Sequence, residues 1–186
     1  SYSKKGCTIG ICSRNIKKLN LVKEECEKLG GKIFIYQLDV QNSQKCIEIA
    51  EKFDLDAGGV DCVIANAGIG GDDGLFSGNS KKFNNILKTN LFGVTNILMP
   101  FIPIMKKQKN GTLVCISSVA AFIPTPFHGA YSSSKSAIKM IFDSWRPSLN
   151  IFNIKTVTIC PGFIDTPMVT GVGRNFPMKS ADTASE

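Results

Sequence analysis

The sequence predicts an α/β fold built on a doubly wound parallel sheet, and three observations carry that expectation. Short apolar runs of strand length alternate with longer segments of helical periodicity. The runs are apolar throughout, as strands covered on both faces must be, which predicts three α/β/α layers. Polar or glycine residues stand at the ends of four runs: Asp39, Asn66-Ala67-Gly68, Ser117-Ser118 and Pro161-Gly162. Right-handed crossovers bring such strand tips to one edge of the sheet, where open parallel sheets bind their ligands.

Residues 7–12, Cys-Thr-Ile-Gly-Ile-Cys, are a short, partly β-branched run and read as a buried strand. Asn15 is placed to cap the helix after it, whose apolar positions Ile16, Leu19, Val22, Cys26 and Leu29 recur every three or four residues. Gly30-Gly31 ends that helix. Residues 32–38 form the next strand, 43–53 a helix, and 60–65 a strand. A Gly/Asp loop over 69–79 leads into one long helix over about 81–107. Its cationic end, Lys106-Lys107-Gln108-Lys109, suits the negative pole of the helix dipole. A strand over 112–116, a helix over 130–146 and a strand over 155–160 complete the pattern. With no internal repeat or low-complexity tract, residues 1–186 read as a single domain.

Composition excludes several functions. Apolar residues make up 43% and charged residues 20%, as in ordinary globular proteins. The net charge of +7 comes from scattered Lys and Arg without a basic stripe, which argues against a nucleic-acid partner. Seven cysteines show no CxxC spacing and mostly sit in apolar runs. They read as buried free thiols in a reducing compartment, and the single histidine argues further against a metal centre. The most apolar segment, residues 90–105, contains Pro100 and Pro103 and falls short of the roughly 20 residues of a membrane span. No signal-peptide pattern is read, and a cytoplasmic location without a membrane partner is expected.

The segment Gly129-Ala130-Tyr131-Ser132-Ser133-Ser134-Lys135 sets a phenol and an ammonium four residues apart. On a helix these positions share a face, with Cβ atoms about 5–6 Å apart. A phenol is a poor base at neutral pH, but a neighbouring ammonium stabilises the phenolate and suits it to acid/base work. Tyr-x-x-x-Lys alone is a weak signal, because an exposed polar helix start reads the same way. Its neighbours decide.

Asn66-Ala67-Gly68 follows a strand, Asn90 lies inside the long helix, and Ser118 stands thirteen residues before Tyr131. Pro161-Gly162-Phe163-Ile164-Asp165-Thr166 follows the last strand. In this order and spacing the chain resembles compact single-domain members of the short-chain dehydrogenase/reductase family over nearly its whole length. The resemblance implies a Rossmann-type fold and hydride transfer between a nicotinamide cofactor and a carbonyl or alcohol. It makes Tyr131 the proton donor to the carbonyl oxygen in reduction and the base in oxidation. Ser118 would hydrogen-bond the same oxygen, and Lys135 would stabilise the phenolate and bond the nicotinamide ribose. Asn90 would support a proton-relaying water, beside a structural part in closing a break in its helix. Ser117 reads as structural.

For the cofactor, Asp39 and Val40 match the family's adenine-contacting turn. Asn66, Ala67 and Gly68 would let backbone approach the cofactor, glycine because it lacks a Cβ. Tyr131 and Lys135 match the ribose contacts. Beyond Pro161 and Gly162, Ile164 and Thr166 match positions that hold the nicotinamide carboxamide. NAD sites commonly carry a carboxylate after the second strand for the ribose 2′-OH. This chain has Ser13-Arg14 there, a guanidinium able to pair with a 2′-phosphate, so NADP is expected over NAD.

The family's opening strand and its glycine-rich T-G-x-x-x-G-x-G turn are not matched. The chain starts at Ser1-Tyr2-Ser3-Lys4-Lys5-Gly6 as if at a helix end, so about 20–25 residues of a βαβ unit are expected to be missing. Their strand would lie between the 7–12 and 60–65 strands. Residues 180–186 read as the start of a helix cut short, so the domain is expected to be incomplete at both ends. Substrate specificity would reside in loops 119–130 and 163–180, with Phe122, Ile123, Pro124, Pro126, Phe127, Phe163, Met168, Val169 and Phe176. Such a lining suits an apolar ketone or secondary alcohol, and His128 stands close enough in sequence to touch it. The 81–107 and 130–146 helices resemble the pair through which family members dimerise. Ile86, Leu87, Phe92, Ile97, Leu98, Phe101 and Ile102 exceed one core face, so a homodimer or homotetramer is expected. The alternative is a catalytically idle NADP-binding or scaffold protein of the same fold, and no C-terminal domain of the epimerase kind is seen.

Overall fold

A computed structural model describes residues 2–165 and 178–180. Thr166, Met168, Val169 and Phe176 lie outside the described residues. After a single 3-10 turn at Ser3–Lys5, closed by Gly6 in the left-handed region, come β1 (Thr8–Ser13), α1 (Ile16–Lys28), β2 (Lys32–Gln37), α2 (Ser43–Ala57) and β3 (Cys62–Ala65). Then follow α3 (Ser80–Leu87), α4 (Gly93–Leu98), α5 (Phe101–Gln108), β4 (Gly111–Ile116), α6 (Gly129–Asn150) and β5 (Ile154–Ile159). Two short strands, β6 (Ile164–Asp165) and β7 (Lys179–Ser180), pair in parallel. Ser180, expected to open a helix, is therefore extended.

Helix ends follow local chemistry. Asn15 Oδ1 accepts the Lys18 N–H at 3.1 Å and starts α1, and Asn42 Oδ1 accepts the Lys45 N–H at 3.0 Å and starts α2. α2 runs four residues beyond its expected end, because no breaker precedes Gly58, whose φ of 74° provides the left-handed C-cap. The long helix expected over 81–107 is three segments. A π-helical turn at Lys88–Phe92 separates α3 from α4, and Met99-Pro100 separates α4 from α5. Proline lacks the N–H that a continuous ladder needs.

The five longer strands are all parallel and form two separate sheets. β1 pairs with β2, and β4 lies between β3 and β5. The alternation along β1 and β2 puts Gly10 beside Phe34 on one face, where Phe53 of α2 meets Phe34 and Tyr36 edge-on at 6.3 Å. A Cβ at Gly10 would come within 2.8 Å of the Phe53 ring, so glycine is what lets α2 lie close. On the opposite face, α1 packs on β2 and buries Leu19 near Ile33. Helices on both faces make the sheet doubly wound. Over β3–β5 the larger core forms, with Leu98, Met105, Leu113, Cys115, Ile138, Phe142 and Ile154 wholly buried. Each such side chain contributes about 1.5–3 kcal/mol. The other face of these strands, at Ile64, Val157 and Ile159, is exposed among the described residues.

Between β1 and β3 opens a cleft of about 840 Å³. This is the interval in which the opening strand was expected. Cys12 and Cys62 stand on its walls and are exposed, so burial holds fully only for Cys46 and Cys115; all seven thiols are free. The surplus of apolar residues on the long helix is also smaller than its sequence suggests. Ile86, Ile97, Leu98 and Phe101 are buried within this one chain, while Phe92 is exposed.

Candidate active site

The first turns of α6 present Tyr131 and Lys135 on one face. The Lys135 Nζ sits 5.6 Å from the centroid of the Tyr131 ring. Lys135 is only 5% exposed, and its ammonium donates to the Ile116 carbonyl at the end of β4, at 2.7 Å. Burial pushes its pKa below the ordinary range, since a neutral carbonyl supplies no counter-charge.

Of the serines between these two residues, Ser132 and Ser134 are buried and only Ser133 is exposed. Ser132 Oγ accepts the Thr125 N–H at 3.4 Å, and Ser133 Oγ donates to the Ala130 carbonyl at 3.2 Å. Ser134 Oγ donates to the Tyr131 carbonyl at 2.7 Å and accepts from Asn90 Nδ2 at 3.3 Å. One turn on, Ser136 Oγ donates to the Ala121 carbonyl at 2.8 Å. These bonds fasten α6 to the loop before it and to the π-helical turn.

Asn90 lies in that turn with no exposed surface. Its Oδ1 accepts the Ile69 N–H at 2.8 Å, and its Nδ2 donates to the Ile69 carbonyl at 2.9 Å. The structural part expected of Asn90 is thus present, and it joins the β3 tip to α6. A Cβ on Gly68 would lie 3.5 Å from Asn90 Oδ1 and 3.7 Å from Lys135 Nζ. Gly68, Asn90, Tyr131 and Lys135 therefore come together.

Ser117 and Ser118 extend the cluster from the β4 tip. Ser117 Oγ donates to the Lys135 carbonyl at 2.9 Å, the structural bond expected of it. Ser118 is half-buried and caps the 3-10 turn Val119–Ala121, its Oγ accepting the Ala120 N–H at 3.2 Å. A hydroxyl that accepts one bond can still donate another. The Val119 N–H donates to the Pro161 carbonyl at 3.0 Å and ties the β4 tip to the β5 tip. His128 is held by a 2.8 Å contact between Nδ1 and the Pro126 carbonyl.

The cleft collects most of the expected cofactor residues: Ser13, Arg14, Asp39, Val40, Asn66, Ala67 and Gly68 line it. Arg14 is exposed at the tip of β1, and among the described residues no carboxylate pairs with it. Ser13 Oγ accepts the Asn15 N–H at 3.2 Å, while Asp39 Oδ1 accepts the Gln41 N–H at 3.0 Å and shapes its turn. Val40 is buried, its carbonyl accepting from Asn96 Nδ2 at 2.8 Å. Tyr131, Lys135, Pro161, Gly162 and Ile164 are not on the cleft walls; Lys135 lies next to Gly68, and the last three follow β5, on the side of Ser118. A glycine-rich pyrophosphate turn is not among the described residues, and no cluster of metal-ligating side chains is found among them. No described helix is long and apolar enough to cross a membrane.

Two members of the site escaped sequence reasoning. The Ile116 carbonyl is a backbone acceptor and leaves no side-chain signal. Asp73, buried over the start of α6, reads in the sequence as one of several turn residues in a Gly/Asp loop.

The sequence and the fold are both similar to those of known proteins. A 3-oxoacyl-(acyl-carrier-protein) reductase of Thermotoga maritima is 31% identical over 183 residues, covering 98% of this chain and 73% of that protein. The fold superposes on an alcohol dehydrogenase from Thermococcus sibiricus complexed with 5-hydroxy-NADP, with a TM-score of 0.86 at 24% identity, over 98% of this chain and 78% of the other. It also superposes on an NAD+-bound xylitol dehydrogenase, with a TM-score of 0.85 at 23% identity, over 95% and 71%. The family described as short chain dehydrogenase matches residues 1–175. By fold and by sequence, the chain belongs to the short-chain dehydrogenase/reductase family of NAD(P)-dependent oxidoreductases.

Proposed function

We propose that this chain transfers hydride between NADP(H) and an apolar ketone or secondary alcohol, with Tyr131 as general acid and base. The observation that carries this reading is the Lys135 ammonium, buried and 5.6 Å from the Tyr131 ring centroid. NADPH, when bound, supplies the hydride to the carbonyl carbon. Tyr131 gives the carbonyl oxygen its proton, and Lys135 stabilises the charge left on the phenol oxygen. Ser118 donates a hydrogen bond to the same carbonyl oxygen and orients it. Lys135 would also bond the nicotinamide ribose. Asn90 keeps Ile69 and Ser134 in place around Lys135, and would support a water that relays protons from Lys135 to solvent. By their family positions, Ile164 and Thr166 would hold the carboxamide.

The apolar substrate class is supported by Phe122, Ile123 and Phe127, exposed in the loop between β4 and α6, and by Phe76, whose ring lies 5.4 Å from that of Phe127. The 3-oxoacyl group in the name of the Thermotoga relative fits the same class. Arg14 supports NADP, because its guanidinium lines the cleft without a carboxylate partner among the described residues. Phe92, Met99 and Met140, exposed on or beside the helices, suit a homodimer or homotetramer, which size-exclusion chromatography with light scattering reads directly.

Turnover is measured as NADPH absorbance loss over a panel of ketones. Tyr131→Phe is expected to lower kcat by about 100-fold or more. Equal rates in the two proteins refute catalysis by Tyr131 and favour an idle cofactor-binding protein. Arg14→Ala is expected to raise KM for NADPH about tenfold, the equivalent of one charge-assisted hydrogen bond, and to leave KM for NADH unchanged. An unaltered cofactor preference would defeat the NADP assignment.

A further inference from the structure

The loop between β3 and α3 holds a buried carboxylate that the proposed chemistry does not use. Asp73 is 4% exposed. Its Oδ2 accepts the Ala130 N–H at 3.2 Å, and its Oδ1 accepts the Leu75 N–H at 3.2 Å. Ala130 is the second residue of α6, and Tyr131 is the third. The helix has no cap of its own, because His128, at the N-cap position, makes no side-chain bond to the first turn. A buried helix start leaves N–H groups that need acceptors, and Asp73 reaches across 57 residues to supply one. Among the described residues no cation pairs with it, so its charge faces the positive end of the α6 dipole.

Three further contacts fit the same purpose. A Cβ at Gly129 would lie 3.2 Å from Asp73 Oδ2, so glycine there keeps room for the carboxylate. The Asp73 N–H donates to the Phe127 carbonyl at 3.4 Å, and Phe127 holds a φ of 62°, a conformation that a bulky residue keeps only when its surroundings impose it. The near end of the loop is gripped at Ile69 by Asn90, which also bonds Ser134 of α6. The loop thus touches the catalytic helix directly at Ala130 and through Asn90 at Ser134, one turn apart, on either side of Tyr131.

We propose that Asp73 is a positioning residue: it caps α6 from outside the helix and sets the direction in which the Tyr131 hydroxyl points. The role rests on the reading of Tyr131 as the acid/base. It acts on the chemical step and not on cofactor binding, since Asp73 bonds Leu75, Phe127 and Ala130 and none of the residues expected to hold the cofactor.

The test compares wild type with Asp73→Ala, Asp73→Asn and Tyr131→Phe in the full chain. Hydrogen exchange of the Ala130 amide, followed by NMR, needs no turnover. Asp73→Ala is expected to speed that exchange about tenfold or more, to lower kcat about tenfold, and to leave the NADPH Kd and the substrate KM within about twofold of wild type. Asp73→Asn keeps one acceptor oxygen and is expected to recover most of the protection and most of kcat. Unchanged protection, wild-type kcat in Asp73→Ala, or no recovery in Asp73→Asn each overturns the proposal. Should Asp73→Ala not fold, Asp73→Ser decides the matter, because its hydroxyl is too short to reach the Ala130 N–H; wild-type kcat and protection there overturn it equally. Full activity in Tyr131→Phe would instead strike down the acid/base reading, while the exchange result still reports on the cap.

Discussion

Replacing Asn90 by alanine tests whether the π-helical turn is held by one side chain. The carboxamide has no exposed surface and makes three hydrogen bonds, to the Ile69 N–H at 2.8 Å, the Ile69 carbonyl at 2.9 Å and Ser134 Oγ at 3.3 Å. Each lost bond has a net worth of about 0.5–1.5 kcal/mol, and a buried donor left without an acceptor costs about 1–3 kcal/mol. Against this, alanine is the better helix former by about 0.6 kcal/mol. Water entering the vacated space recovers part of the loss, which leaves a net destabilisation of about 2–4 kcal/mol. For a chain of this size, that corresponds to a fall in Tm of about 4–16 °C. Urea unfolding of wild type and Asn90→Ala, with a common m-value, gives the difference directly. A loss below about 1 kcal/mol would show that the loop and helix hold each other without the clamp, and the reasoning about the turn would be wrong.

Gly93 meets Val40 closely enough for a second test: a Cβ there would come 2.5 Å from Val40 Cγ2. Gly93→Ala is expected to cost about 1–2 kcal/mol after the helix gain of alanine is counted and to weaken NADPH binding through the displaced Val40 turn; a stabilised variant would show that Val40 moves freely. For Lys135, burial lowers the pKa below its ordinary 10.5, so folding expels the proton in the window between the depressed value and 10.5. The unfolded chain holds more protons there, and the contribution of this group to stability rises with pH across the window and is least below it. Lys135→Met lacks that rise, so its stability relative to wild type should decline as pH climbs toward 10.5. Parallel stability–pH curves for the two proteins would contradict it.

Much of the site was legible because its signals are local. Tyr131 and Lys135 share a helix face whatever the rest of the chain does, and Ser13, Asp39 and Asn66 follow strands and so stand at one sheet edge. The Ser117 assignment rested on its place beside Ser118, and its bond to the Lys135 carbonyl agrees with it. Expectations failed where distant parts of the chain compete. The helix over 81–107 was read as one element, with a break named only at Asn90, because a π-helical turn has nearly the same apolar spacing as an α-helix; a bond from Asn90 to a loop 21 residues earlier holds the difference. Cys12 and Cys62 sit in apolar runs and face the interval in which the unmatched strand was expected, where no described residue covers them.

From the sequence alone come the alternation of strands and helices, their parallel order, and the residues that stand at the strand tips. These follow from periodicities of two and 3.6 residues and from covalent neighbours, which act over a few positions. Only the tertiary structure decides how the acid/base pair is held: Lys135 donating to the Ile116 carbonyl, Asn90 gripping Ile69, and Asp73 capping α6. In these bonds a side chain meets backbone 19 to 57 residues away, and backbone groups are the same at every residue. No side-chain pattern can announce such a partner until the chain has folded.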